Sequence, residues 1–280
     1  MAQDSAEVER FLRETVEVLA SDEFGGRAFG SGGTVQASCF IAQNFEHSGL
    51  LPMGQNWYHC FQSKKGIGRN VIGILPGKSR KYILVSAWYD GLGTLDGKVY
   101  GGADANASGV AAMLYMADRL AKAPRCEYGI IFAALDGHTD SLSGADAFLA
   151  QTAIIPELVL NLDTIGSDLA PVSRVVKDYM IVLGAPARWH EAMINMATQL
   201  SLRLYFDYYG SKVFTELFYK KASDQAPFIA AGIPALMFTS GITANTNKTS
   251  DTPKSLNYNL LRRRAEFVAR WIETRNNVRP

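Results

Sequence analysis

Five polar residues near the middle of the chain have types and placements suited to chemistry: Asp90, Asp104, His138, Asp140 and Asp163. Asp90 follows a short apolar run at 82–85, and Asp163 closes another at 158–162. His138 and Asp140 come just after the continuous apolar stretch 128–135. Short apolar runs of this kind read as buried strands. In α/β sheets, ligands and catalytic groups gather at the carboxyl ends of the strands. Gly101, Gly102 and Gly109 surround Asp104 and Asn106, so the backbone there can approach another group closely. One imidazole with two carboxylates would be enough to hold a single zinc. Without a metal, His138 would instead compensate a buried carboxylate through a salt bridge or hydrogen bond. Ser108 and Ser143 do not sit in a G-x-S-x-G elbow. The four histidines, His47, His59, His138 and His190, leave a triad open by count alone.

These residues need a scaffold, and the pattern of the chain supplies one. Residues 5–20 are expected to form a helix with Val8, Phe11, Leu12, Val16 and Leu19 on one face, capped by Asp4 and Glu7. A Gly-rich loop runs from Ser21 to Gly33, and a second helix over 34–48 stops at Gly49. Strands are expected at 56–61, 70–76, 82–87, 128–135, 158–162, 179–183, 202–206 and 235–239. Helices are expected over 107–122, from about 143, and over 187–200, 224–231 and 255–274. The last would bury Leu260, Leu261, Phe267, Val268, Trp271 and Ile272. Strands alternate with helices, and no repeat or Pro/Ser-rich linker interrupts them. The fold class is therefore α/β: one domain over residues 1–280, with a mixed, mostly parallel central sheet and helices on both faces.

Several segments resemble the zinc aminopeptidases of peptidase family M28. The family pattern A-H-Y-D-S appears as Ala87-Trp88-Tyr89-Asp90, and G-A-x-D-N-x-S-G as Gly102-Ala103-Asp104-Ala105-Asn106-Ala107-Ser108-Gly109. E-E-x-G-L-x-G-S becomes His138-Thr139-Asp140-Ser141-Leu142-Ser143-Gly144-Ala145, with Leu142 and Gly144 fixing the register. N-L-D-x-x-G is kept as Asn161-Leu162-Asp163-Thr164-Ile165-Gly166. S-D-H-x-P-F reads Ser223-Asp224-Gln225-Ala226-Pro227-Phe228, and H-T-P-x-D-T reads Asn247-Lys248-Thr249-Ser250-Asp251-Thr252. The landmarks run from about residue 19 to residue 252, most of the chain. The resemblance implies a zinc-exopeptidase fold, a non-proline cis peptide at Ala105-Asn106 and, for active members, a dizinc site.

Carried across residue by residue, the resemblance places the zinc ligands on Trp88, Ala105, Thr139, Asp163 and Asn247. The general base falls on His138, and a His near the substrate pocket on Gln225. Trp, Ala, Thr and Asn are poor zinc donors. Asp163 is thus the one retained ligand position, and no metal cofactor is expected. Trp88 would fill volume left by a His and two metals, or offer a stacking platform. Asp163, buried without a cation, should pair with a donor or have a raised pKa.

Three functions follow as expectations. The first is a pseudoenzyme whose vestigial cleft (Trp88, Asp90, Asp104, Ala105, His138, Thr139, Asp163, Gln225 and Asn247) binds a peptide, a sugar, another small ligand or a protein partner. The second is an amide hydrolase with one zinc rebuilt around His138, Asp163 and Asp90. A glutaminyl-cyclase variant of it would need the same lost ligands. The third is an interaction subunit that uses the aromatic cluster around 205–219, which otherwise reads as an edge strand with ordinary core. A net charge of +1 gives no reason to expect a nucleic-acid partner. The longest uncharged run, 225–247, contains Pro227, Gly232, Pro234 and Gly241, so no transmembrane segment is expected. Three scattered cysteines make no disulfide framework, though one bridge stays open. Residues 1–20 carry acids and do not read as a signal peptide. Met1 fits either a native start or a start after a removed leader. An exported location is implied by the resemblance alone.

Overall fold

The apolar runs become neighbouring strands of one sheet in the computed structural model, which describes residues 4–168 and 176–277. The strands are β1 (Leu51–Pro52), β2 (Tyr58–Ser63), β3 (Gly66–Leu75), β4 (Tyr82–Trp88), β5 (Gly93–Leu95), β6 (Lys98–Tyr100), β7 (Gly129–Leu135), β8 (Leu158–Leu162), β9 (Tyr179–Leu183), β10 (Arg203–Tyr205) and β11 (Ala235–Thr239). The main sheet has the order β1-β3-β7-β4-β8-β11-β9-β10, with β2 added on β3. A separate β5–β6 hairpin lies outside it. The parallel pairings β7–β4, β4–β8, β8–β11 and β9–β10 occupy the middle and one edge. The pairings of β1, β2 and β7 with β3, and of β11 with β9, are antiparallel. The sheet is therefore mixed, with a parallel centre.

The period of two along a strand decides which side chains meet which layer. Ile83, Val85 and Ala87 of β4 and Ile130, Phe132 and Ala134 of β7 enter the larger core. Leu84, Ile131, Ala133 and Leu135 enter a second core on the opposite face. The larger core is covered by helices α1 (Ser5–Leu19), α2 (Gly32–His47), α3 (Ser108–Ala121), α5 (Ala187–Gln199) and α8 (Tyr258–Asn277). The second is closed by α4 (Ser143–Gln151) and α7 (Gln225–Ala230) through Phe148 and Phe228. Both faces are covered, which is why the central strands read as unbroken apolar runs rather than alternating ones.

The expected apolar face of α8 is buried as read, including Leu260, Phe267 and Trp271. Arg264 on the same helix is buried too, which the polar reading of this residue type would not suggest. Its guanidinium donates to the carbonyls of Tyr179, Ile165 and Ser167. Two expectations need correction. Strand β3 starts four residues earlier than expected, because residues 66–69 continue the ladder with β2. The aromatic stretch after β10 is not only an edge strand with core. It contains helix α6 (Lys212–Lys220), capped by Ser211, which has no buried residue. Phe214 stays half exposed, while Tyr208 is buried. Cys39, Cys60 and Cys126 are all free. No helix among the described residues is long and apolar enough to cross a membrane.

Candidate functional site

Parallel pairing places the ends of β4, β7, β8 and β11 at one edge of the sheet. The loops that leave this edge carry Trp88–Asp90, His138–Thr139, Asp163–Thr164 and Ser240–Asn247. They enclose a cavity of about 380 Å³. Trp88, Ala105, His138, Thr139, Asp163 and Asn247 all line it. Six positions spread over 160 residues of sequence thus converge on one space. Asp90, Asp104 and Gln225, also expected in the cleft, are not among its lining and are buried.

His138 organises the lining. Its Nδ1 lies 2.6 Å from Asp224 Oδ2, and Asp224 is fully buried. Its ring stacks on Trp88, with centroids 4.0 Å apart and planes 9° apart. Burial alone would lower the imidazole pKa. The charge and hydrogen bond of Asp224, helped by Asp163 and Asp90, outweigh it and push the pKa up to about 9. The side chain is therefore an imidazolium at neutral pH, resting on an indole face that favours a cation. Trp88 is thus more than filler: it forms one wall of the cavity.

The carboxylates around this cation are each engaged differently. Burial raises the Asp163 pKa, opposed by the His138 charge and by the Ser223 hydroxyl. Ser223 Oγ donates to Asp163 Oδ2 at 2.5 Å. Among the described residues the buried Trp88 indole N–H meets no acceptor at strict hydrogen-bonding geometry, although it lies close enough to Asp163 to favour its anion. Burial also raises Asp90, against hydrogen bonds from Thr139 and the charge of His138. Asp90 accepts from the backbone N–H of His138 and Thr139, at 2.9 and 3.0 Å, and from Thr139 Oγ1 at 2.6 Å. Asp90 therefore holds the following loop rather than facing the cavity. Gln225 bridges elements: its Oε1 accepts from Asn161 Nδ2 and its Nε2 donates to the carbonyls of Phe218 and Tyr219. It thereby fixes the end of α6, whose Phe218 lines the cavity.

Beneath the lining lies a second polar layer. The Ala105-Asn106 peptide is cis, as the resemblance implied. Asp251 accepts from the backbone N–H of Asp104 and Ala105. Asn106 donates to the carbonyls of Trp88 and Leu162 and accepts from the N–H of Gly109 and Thr164. A Cβ on Gly109 would come within 2.5 Å of Asn106 Oδ1 and 2.8 Å of the Leu162 carbonyl, so only glycine fits there. Asp104 accepts from the Gly166 N–H and the Ser108 hydroxyl, while burial raises its pKa to about 7. Arg27, fully buried, donates to the carbonyls of Leu19, Tyr89, Gly101 and Gly102.

The family model described as Peptidase family M28 matches residues 70–272. This chain belongs to peptidase family M28. The relative "Alkaline phosphatase isozyme conversion protein" of Escherichia coli (strain K12) is 28% identical over 164 residues. That match covers 51% of this chain and 47% of the relative, so it spans about half of the relative's length. Among solved structures, the zinc aminopeptidase BSAP from Bacillus subtilis superposes with a TM-score of 0.74 at 14% identity, covering 97% of this chain and 95% of the other. Glutaminyl cyclase from Porphyromonas gingivalis gives 0.72 at 17% identity, covering 97% and 98%. At these identities the structural matches establish the fold alone.

The lining does not fit a zinc pair. Of the five positions matched to ligands, Asp163 alone bears a good donor, and Trp88, Ala105, Thr139 and Asn247 leave the metals uncoordinated. Among the described residues, no group of three or more His, Cys, Asp or Glu side chains is placed to hold a metal ion. The single-zinc arrangement of His138, Asp163 and Asp90 is not assembled either. His138 Nδ1 is turned to Asp224, and Asp90 is taken up by the His138–Thr139 backbone. The partner of His138 was not among the carboxylates singled out by their position after strands. Asp224 sits at the start of α7, where a polar residue reads as an ordinary cap. The one available sign was its place beside the altered Gln225.

Proposed function

We propose that this chain is a non-hydrolytic member of peptidase family M28 whose former catalytic cleft serves as a ligand-binding pocket. One observation carries the reading. The six matched positions still meet in a single open cavity, yet four of the five ligand positions there bear no good zinc donor, and His138 Nδ1 is committed to Asp224. An imidazolium salt-bridged to Asp224 cannot polarise a carbonyl and lower the pKa of an attacking water as two zincs do. The retained cavity, walled by the Trp88–His138 stack, has the size and mixed polarity of a site for a peptide end or a small molecule. An exported location belongs to this proposal on the strength of family membership, and cell fractionation tests it.

The experiment is metal content by mass spectrometry after zinc incubation and removal of excess, with leucine p-nitroanilide hydrolysis measured on the same sample. The expected result is well below about one zinc per chain, and hydrolysis indistinguishable from buffer. A stoichiometry of about one or more, with zinc-dependent hydrolysis, would overturn the reading.

A further inference from the structure

A second cavity, of about 330 Å³, lies at the opposite end of β7 from the cleft. Its walls are Leu75 and Pro76 at the end of β3, Leu120 and Ala121 at the end of α3, and Tyr128 and Ile130 at the start of β7. Small residues leave the space open. A Cβ on Gly49 would meet nothing within 4 Å, and Ala123 follows where α3 has run out. Leu51 also lines the cavity and is 55% exposed, a large apolar side chain without cover. The charge beside this apolar space is positive. Arg125 lines it, is exposed, and has neither an ion pair nor a side-chain hydrogen bond among the described residues. Lys78 adjoins the same corner, where its backbone N–H donates to the carbonyl of Cys126, another lining residue, at 3.0 Å. The acids nearby do not answer Arg125. Both oxygens of Glu273, whose charge reaches the Cys126 thiol, accept from Arg119. Asp118 pairs with Lys122 at 2.7 Å, and Glu127 is exposed and outside the lining.

A ligand that satisfies this pattern has an apolar body and one anionic end. A small anion would leave the apolar walls unfilled. An apolar cation would be repelled by Arg125 and Lys78, and a neutral apolar molecule would gain nothing from either. We propose that this cavity binds a single-chain aliphatic carboxylate, its chain against Leu75, Leu120 and Ile130 and its head on Arg125. A guanidinium meets a carboxylate through two parallel N–H donors, which makes Arg125 the better partner of the two cations. The volume falls in the range of small-molecule sites. The cavity shares no lining residue with the cleft, so this site stands or falls separately from the reading given above for the cleft.

Isothermal titration of the full chain with octanoate, octan-1-ol, octylammonium and acetate, each below any micellar concentration, tests this. Octanoate should bind, and octan-1-ol about 10- to 100-fold more weakly, the scale of a lost charge-assisted hydrogen bond. Octylammonium and acetate should bind more weakly still. Arg125→Gln, at an exposed position, should bring octanoate to the level of octan-1-ol and leave octan-1-ol unchanged. Ala123→Phe, which fills the space, should weaken both at least about tenfold. Should Ala123→Phe fail to fold, Arg125→Gln and the ligand series still decide the matter. Equal binding of octanoate and octan-1-ol, or preference for octylammonium, overturns the inference. Octanoate binding that Arg125→Gln leaves unchanged places the ligand elsewhere and overturns it too. So does the absence of octanoate binding. A dimer in sedimentation velocity that Ala123→Phe dissociates, without octanoate binding, would mean that a second copy fills the cavity instead.

Discussion

The lining of the cavity and the layer beneath it have diverged to different degrees. Beneath, Asp251, Asn106, Gly109 and Arg27 form a dense set of hydrogen bonds to backbone groups. Above, the positions matched to metal ligands have become Trp88, Ala105, Thr139 and Asn247. The difference teaches what each layer is for. The lower layer satisfies buried backbone groups, and such groups are costly to leave unpaired whether or not a metal lies above them. The matched ligand positions of the lining carry no such burden, so the fold does not demand metal-donor side chains there. What the fold does demand is charge compensation for Asp163, Asp90 and Asp224, and His138 supplies it.

The largest effect is expected where the lower layer is broken. Arg27→Met would take a side-chain donor from four carbonyls, those of Leu19 and Tyr89 buried, and remove the positive charge near Asp90 and Asp251. We expect a loss of about 3–5 kcal/mol in chemical denaturation, or no folded protein. A loss below about 1 kcal/mol would mean that the two layers do not differ in the way argued.

Behind the lining, Asp224→Asn should cost about 2–4 kcal/mol, because it breaks the His138 salt bridge, whose carboxylate is fully buried. The same pair predicts a pH dependence. The folded-state pKa of His138, about 9, lies above its ordinary value of 6.5. The folded state therefore holds the proton where the unfolded chain releases it. The stabilisation is fully present below about 6.5 and is lost as pH rises through about 9, on the order of 3 kcal/mol. Denaturation curves at a series of pH values should show this decline in the unaltered protein and a much smaller one in Asp224→Asn. Parallel curves for the two proteins would sink the pairing as the source.

The smallest effect is expected at Asp163. Its neighbourhood already holds Asp90 and Asp224 against one imidazolium, so Asp163→Asn removes a surplus buried charge. Stability should stay within about 1 kcal/mol or rise. A drop beyond about 2 kcal/mol would show that Asp163 holds a cation, and would blur the contrast between the layers.

Most elements were legible in the sequence because burial on both sheet faces writes itself as apolar runs. The strands at 158–162, 179–183 and 235–239 match the structure residue for residue. Helix α6 was not legible: its Val213, Phe214 and Leu217 remain exposed, so its pattern reports no core contact. The candidate site was half legible. The convergence of Trp88, Ala105, His138, Thr139, Asp163 and Asn247 followed from the motif register. That Asp90 and Asp104 lie beneath the lining rather than on it did not, since a carboxylate after a strand looks the same whether it faces a cavity or caps a loop.

By itself, then, the sequence determined the scaffold, the family and which of the matched ligand positions lack a zinc donor, because these depend on residue types at registered positions. Only the tertiary structure decided what His138 pairs with. The pairing of His138 with Asp224 joins residues 86 positions apart, on different loops. Its strength comes from burial and from a 2.6 Å approach, and neither is a property of the residues taken in order.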